Sequence, residues 1–274
     1  MKKFLLKAAA LMLAACAGGQ ARADFLSYYI GVDDLETLSS GTYLGLPNPN
    51  YNHLTFLYAH TYPDNPGNNH YHSKAILTYT GGVANPTVVR SASNYVPEGA
   101  IPPINLSAGS GIYAGKLVSN PYTDTSDPTE PFSHLTHGNT DSLAGFAPGS
   151  GEFILHNSSS GRWNSPAAAA HLHVEIVSLT PGLNVGDATT LNLGGVGSEL
   201  HLTDPGDLLD FTPVLWTDAG AAPGTYEAVF RFFDEDGTFG DSGNVRFLVS
   251  VVPEPTTLSL VGLALAAVAR RRRA

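Results

Sequence analysis

Four imidazoles fall within twenty residues in His53-Leu-Thr-Phe-Leu-Tyr-Ala-His60 and in the His70-Tyr-His72 that follows a Pro-Asp-Asn-Pro-Gly-Asn-Asn loop. Apolar alternation on either side of those turn residues predicts strand, loop, strand, which folds the histidines back on one another. Residues two apart on a strand share a face, so His70 and His72 can reach one ion, and His60 can approach from across the hairpin. His53 lies an odd number of residues from His60 and joins them only if a bulge or turn re-aims it. Neutral imidazole suits borderline cations, with zinc–nitrogen bonds of about 2.0–2.1 Å. His53, His60, His70 and His72 are therefore the first candidate metal residues. A polar, solvated, His-rich loop would account for the same letters.

A second pattern is His171-Leu-His173-Val-Glu175-Ile-Val. Strand periodicity puts His171, His173 and Glu175 on one face and the apolar residues on the other, so the polar face offers two imidazoles and a carboxylate to one cation. A solvated strand face fits equally. The pattern resembles only part of a cupin metal motif, because the glutamate comes too early, and a cupin is not inferred. His134-Leu-Thr-His137 has helical spacing, but Pro131 and Gly138 suggest a turn and at most an accessory pair. His156 and His201 stand alone and read as structural. Asp234-Glu-Asp236-Gly-Thr-Phe-Gly-Asp241 looks like a calcium loop, yet glycine comes too soon for an EF-hand. A hairpin turn suffices there, and calcium is not assigned to it.

Enzyme signatures are poor. There is no Gly-x-Ser-x-Gly, Walker loop, His-Glu-x-x-His or dinucleotide fingerprint. The expectation is a protein without catalysis. Between Asp24 and Val252 six Lys and Arg face 23 Asp and Glu, a formal excess of 17 negative charges. Such a surface repels nucleic acid and attracts cations.

These side chains must be positioned by strands. Only 14% of the 274 residues are charged, and 29 Gly and 19 Pro punctuate short apolar alternations. His53 to Tyr58, Ala75 to Tyr79, Gly151 to Leu155, Leu172 to Val177, Thr225 to Phe233 and Asn244 to Val251 read as strands, and Ala167 to Ala170 as too short a helix to matter. The expected fold is all-β, a β-sandwich-like arrangement with long loops. A composition shift near Pro166 separates a His-rich β region, residues 24–165, from a sandwich-like region with cleaner alternation, residues 166–252. Periodicity does not decide between two domains and one sandwich with long insertions.

The ends read as addresses. Met1-Lys2-Lys3, the apolar run from Ala8 to Ala17 and Ala21-Arg22-Ala23 make residues 1–23 a signal peptide cut after Ala23. Leu13-Ala14-Ala15-Cys16 also fits a lipobox. Cleavage after Ala23 removes the one cysteine and with it any thiolate or disulfide chemistry. At the other end, Pro253-Glu254-Pro255, an apolar stretch from Thr257 to Ala269 and Arg270 to Arg273 together resemble the PEP-CTERM sorting signal, residues 253–274. The resemblance implies export, transient holding in the inner membrane through a short hydrophobic helix, and processing by an exosortase. The stretch falls short of the ~20 residues a stable span requires, and its basic end fits the positive-inside rule.

Gly41-Thr-Tyr-Leu-Gly-Leu-Pro-Asn-Pro-Asn-Tyr, the His53 to His72 region, Tyr79-Thr-Gly, Ser160-Gly-Arg-Trp163 and Thr180-Pro-Gly-Leu-Asn184 resemble a family of PEP-CTERM proteins repressed by the zinc-uptake regulator. That resemblance implies expression under zinc limitation and a part in binding zinc outside the cytoplasm, with His53, His60, His70 and His72 as metal residues. His171 and His173 rest on spacing alone. The expectation is a surface or extracellular zinc scavenger or reservoir. Its alternatives are a structural or adhesive matrix protein with incidental histidines, and a metal-dependent hydrolase using Glu175 as base. Expected partners are the exosortase and extracellular polysaccharide.

Overall fold

The structure is a computed structural model that describes residues 26–93, 95–96, 99–119 and 135–252. Its principal elements in chain order begin with β1 (Tyr28–Val32), β2 (Leu54–His60), β3 (His70–Ala75), β4 (Lys116–Val118), β5 (His137–Asn139) and helix α1 (Gly151–His156). They continue with β6 (Leu172–Leu179), β7 (Asn184–Gly186), β8 (Glu199–Thr203), β9 (Asp210–Phe211), β10 (Val214–Asp218), β11 (Gly224–Asp234) and β12 (Asn244–Val251). The protein is all-β, as its short alternating runs predict.

Three sheets carry the fold. The first has the order β9-β5-β1-β2-β3, with β5 parallel to β1. The second joins Ser107–Ala108, β4, β10 and β7, and the third runs β8-β6-β11-β12 with Ala92–Ser93 beyond. Sheets one and two pair segments from before and after Pro166 through β5–β9 and β4–β10.

Burial follows the sequence pattern. β6 reads buried, half-buried in alternation from Leu172 to Val177, and β12 alternates throughout. Each therefore turns one face to the core and one outward. β1 is buried at every position and β2 at all but its last, so sheet one is covered on both sides. On one side Tyr28 and Phe56 meet Phe247 edge-on at 5.3 and 5.6 Å, and Phe56 stacks on Phe232 at 5.7 Å. That aromatic layer joins sheets one and three. On the other side Tyr29, Leu57, Ala59 and Tyr71 pack against Leu143, Leu155 and Trp163.

Two expectations about elements need correction. Gly151 to Leu155 is the helix α1, not a strand. Ser150 caps it by accepting from Phe153 N at 3.1 Å, Glu152 occupies the first turn, and Leu155 buries under sheet one. A run as short as Gly-Glu-Phe-Ile-Leu cannot separate the two states by periodicity, so the cap decides. The expected strand from Ala75 to Tyr79 breaks at Ile76, where β3 ends and a separate hairpin of Leu77–Thr80 with Thr87–Arg90 begins. Ser91 takes up both backbone groups of Ile76, and Asn50 Oδ1 accepts from Leu77 N at 2.9 Å.

No helix among the described residues is long and apolar enough to cross a membrane. The expected signal peptide and C-terminal hydrophobic helix lie outside the described residues.

Candidate metal centres

The loop Tyr62 to Asn69 closes the hairpin that carries the first cluster. Pro66 opens a short 3-10 turn, and the buried Asn69 side chain accepts from Tyr62 N at 2.8 Å while donating to Gly151 O at 3.1 Å. The loop ends are thus zipped together and tied to α1. Register then places His60 opposite His70 and Tyr58 opposite His72. His70 and His72 share a face with His60 beside them, all three half-buried.

The ring nitrogens converge. His70 Nε2 lies 3.1 Å from His72 Nε2, which lies 3.4 Å from His60 Nδ1. His70 Nδ1 donates to Asn68 O at 2.6 Å, so the neutral ring presents its Nε2 lone pair to the cluster. An outer partner of this kind fixes the tautomer of a metal-ligating histidine. Tyr62 stacks on His60 at 4.5 Å and sets its hydroxyl 3.4 Å from Nδ1. Donors each about 2.1 Å from one ion sit roughly 3.0–3.4 Å apart, so this arrangement fits a cation.

His53 is placed elsewhere. It precedes the opposite end of β2, and seven residues of strand span roughly 23 Å. Its Nδ1 contacts Asp241 O at 2.7 Å, and its ring crowds Gly240, where an added Cβ would come within 2.3 Å. Its role there is packing against the turn that follows β11.

The second cluster forms on the outward face of sheet three. His171, just before β6, and His173 share that face, and cross-strand pairing sets His201 of β8 opposite His173. A register shift between Leu172 and His173 re-aims the edge strand there. The three rings make a nearly equilateral triangle, with centroids 5.1, 5.2 and 5.2 Å apart. From the sequence alone His201 reads as a lone structural histidine. The signal that places it is sheet order, which no local window contains.

Carboxylates complete this cluster. Asp204 Oδ1 lies 3.5 Å from His171 Nε2 and 3.4 Å from His201 Nε2. Glu235 Oε2 lies 3.3 Å from His171 Nδ1 and 3.2 Å from His173 Nε2, and Asp236 Oδ2 3.8 Å from His171 Nδ1. The turn of the acidic run positions them. Asp234, itself buried, accepts from the backbone N–H groups of His171, Asp236 and Phe239, while Glu235 N donates to His171 O at 3.0 Å. His173 Nε2 is buried without a hydrogen-bond partner despite the nearby Glu235 oxygen, which is out of line for one.

Glu175 shares the face but not the cluster. It pairs with Arg231, which also reaches Asp241 at 3.1 Å. His137 is 1% exposed within the core, ringed by Tyr28, Phe56, Phe211, Phe232 and Phe247 and hydrogen-bonded to Leu135 O. Burial pushes its pKa down to about 4, so it is a neutral core residue. His134 lies outside the described residues. His156 ends α1, its pKa lowered by burial.

Residues 251–273 match the PEP-CTERM protein-sorting motif. The chain is thus an exported protein, processed at its C-terminus by an exosortase, with a surface or extracellular location. No curated protein and no solved structure matches it. These comparisons lend no support to zinc-regulated expression or to a polysaccharide partner.

Proposed function

We propose that this exported protein binds zinc outside the cytoplasm as a scavenger or reservoir and performs no catalysis. The observation that carries the reading is the convergence of three ring nitrogens, His72 Nε2 lying 3.1 Å from His70 Nε2 and 3.4 Å from His60 Nδ1, with His70 already oriented by Asn68. Three imidazole nitrogens and no cysteine beyond Cys16 suit zinc, which accepts three imidazoles and leaves a fourth position for water or a donor from a partner. The anionic surface favours cation capture. The resemblance to zinc-regulated proteins adds that production rises when zinc is scarce.

A hydrolase would require a base beside an open position on the metal. Glu175, the carboxylate the sequence offered for that task, is held by Arg231 instead. This favours storage over turnover.

Elemental analysis of the purified exported protein, followed by calorimetric zinc titration of His70→Ala/His72→Ala, tests the proposal. Zinc should copurify, and the double variant should lose the site on β2 and β3 while keeping its fold, since both rings are half-buried on a polar face. Protein that carries no zinc and takes none up would overturn it.

A further inference from the structure

The second cluster was expected to offer His171 and His173, but its geometry reaches further. We infer that His171, His173 and His201, together with Asp204 and Glu235, form a separate divalent-cation centre whose occupancy staples the fold. His171 has a carboxylate oxygen against each ring nitrogen, Asp204 on Nε2 and Glu235 on Nδ1. Whichever nitrogen takes the ion, one carboxylate lies within the ligand polyhedron and the other accepts the remaining N–H and fixes the ring. The four distances from Asp204 and Glu235 to the imidazoles, 3.2–3.5 Å, are close to those between donors sharing one ion. The buried Nε2 of His173 has no hydrogen-bond partner, and a cation at this position would satisfy it.

Stapling follows from where the ligands sit in the chain. His60, His70 and His72 span 13 residues, so an unfolded chain still chelates with them and binding there discriminates little between folded and unfolded states. His171 and Glu235 are 64 residues apart, with His201 and Asp204 between them. They converge only when β8, β6 and β11 are paired, so an ion at this centre binds the folded state selectively.

The test uses the exported protein with the first cluster removed by His60→Ala/His70→Ala/His72→Ala, so the outcome does not depend on that cluster's role. Zinc added to this metal-stripped variant should bind with a stoichiometry of one. At free zinc a hundredfold above Kd it should raise the thermal midpoint by about 5–10 °C. Adding His201→Ala, a side chain half-exposed to solvent, should abolish both effects while leaving the metal-free midpoint within about 2 °C. Adding Asp204→Asn/Glu235→Gln should weaken zinc at least tenfold. No zinc uptake by the triple variant, or uptake indifferent to His201→Ala, would overturn the centre. Uptake that leaves the midpoint unmoved would overturn the staple.

Discussion

The cluster on β2 and β3 draws three imidazoles from one hairpin, whereas the cluster on β6 and β8 gathers imidazoles and carboxylates from three parts of the chain. In the first, the ring nitrogens that would hold a dication and its charge meet a carbonyl, Asn68 O, and the Tyr62 hydroxyl. In the second, Asp204 and Glu235 offset that charge within the site. The first resembles a chelating loop that tertiary structure merely holds still. The second exists only as a product of folding. Residue type alone does not separate them; chain separation does.

The comparison can be broken most severely by acid, because both clusters rest on sheets packed around His137. Its folded pKa of about 4 lies below the ordinary histidine value near 6.5, so only the unfolded chain takes up the proton between those limits. Its contribution is fully present above about pH 6.5. Stability should fall by roughly 1.4 kcal/mol per pH unit on the way down to about 4, then level off as far as this residue is concerned. Denaturant melts across that window should show the slope in the metal-free protein, and His137→Phe should flatten it. A slope unchanged by the substitution would assign the acid sensitivity elsewhere.

Asp234→Ala sharpens the contrast next. Losing the carboxylate that gathers three backbone N–H groups should release Glu235 from His171 and weaken zinc at the second cluster about 10- to 100-fold. The first cluster should keep its affinity. Titrations in backgrounds that each retain one cluster resolve the two, and equal losses at both would refute the assignment of this turn to one centre. Asn69→Ala is the mirror experiment on the hairpin loop, with a smaller effect expected, about tenfold or less at the first cluster alone.

The smallest effect belongs to His53→Ala. Zinc stoichiometry and affinity should stay within about twofold of the parent. A stability loss of about 1 kcal/mol should reflect the missing contact with Asp241 O. A lost equivalent of zinc would return His53 to the ligand set.

Local chemistry made part of this protein legible from its letters. Two-residue periodicity and a turn-rich loop suffice to bring His60, His70 and His72 together, because everything that positions them lies within one hairpin. The same periodicity foretold the outward face of His171 and His173, and the all-β fold. The C-terminal tripartite run announced export without reference to any fold. Other placements depended on partners distant in the chain. His201 is a ligand candidate because β8 pairs with β6, and Glu235 because β11 lies on the other side of β6. His137 became a buried neutral ring because β5 is inserted parallel to β1 beneath the third sheet's aromatic layer. Ser150 caps the start of α1, where the letters Gly151 to Leu155 alone suggested a strand. The strand period is a property of the backbone and can be read anywhere along it. Sheet order is set by the summed burial of many residues, and so it emerges only when the whole chain has folded.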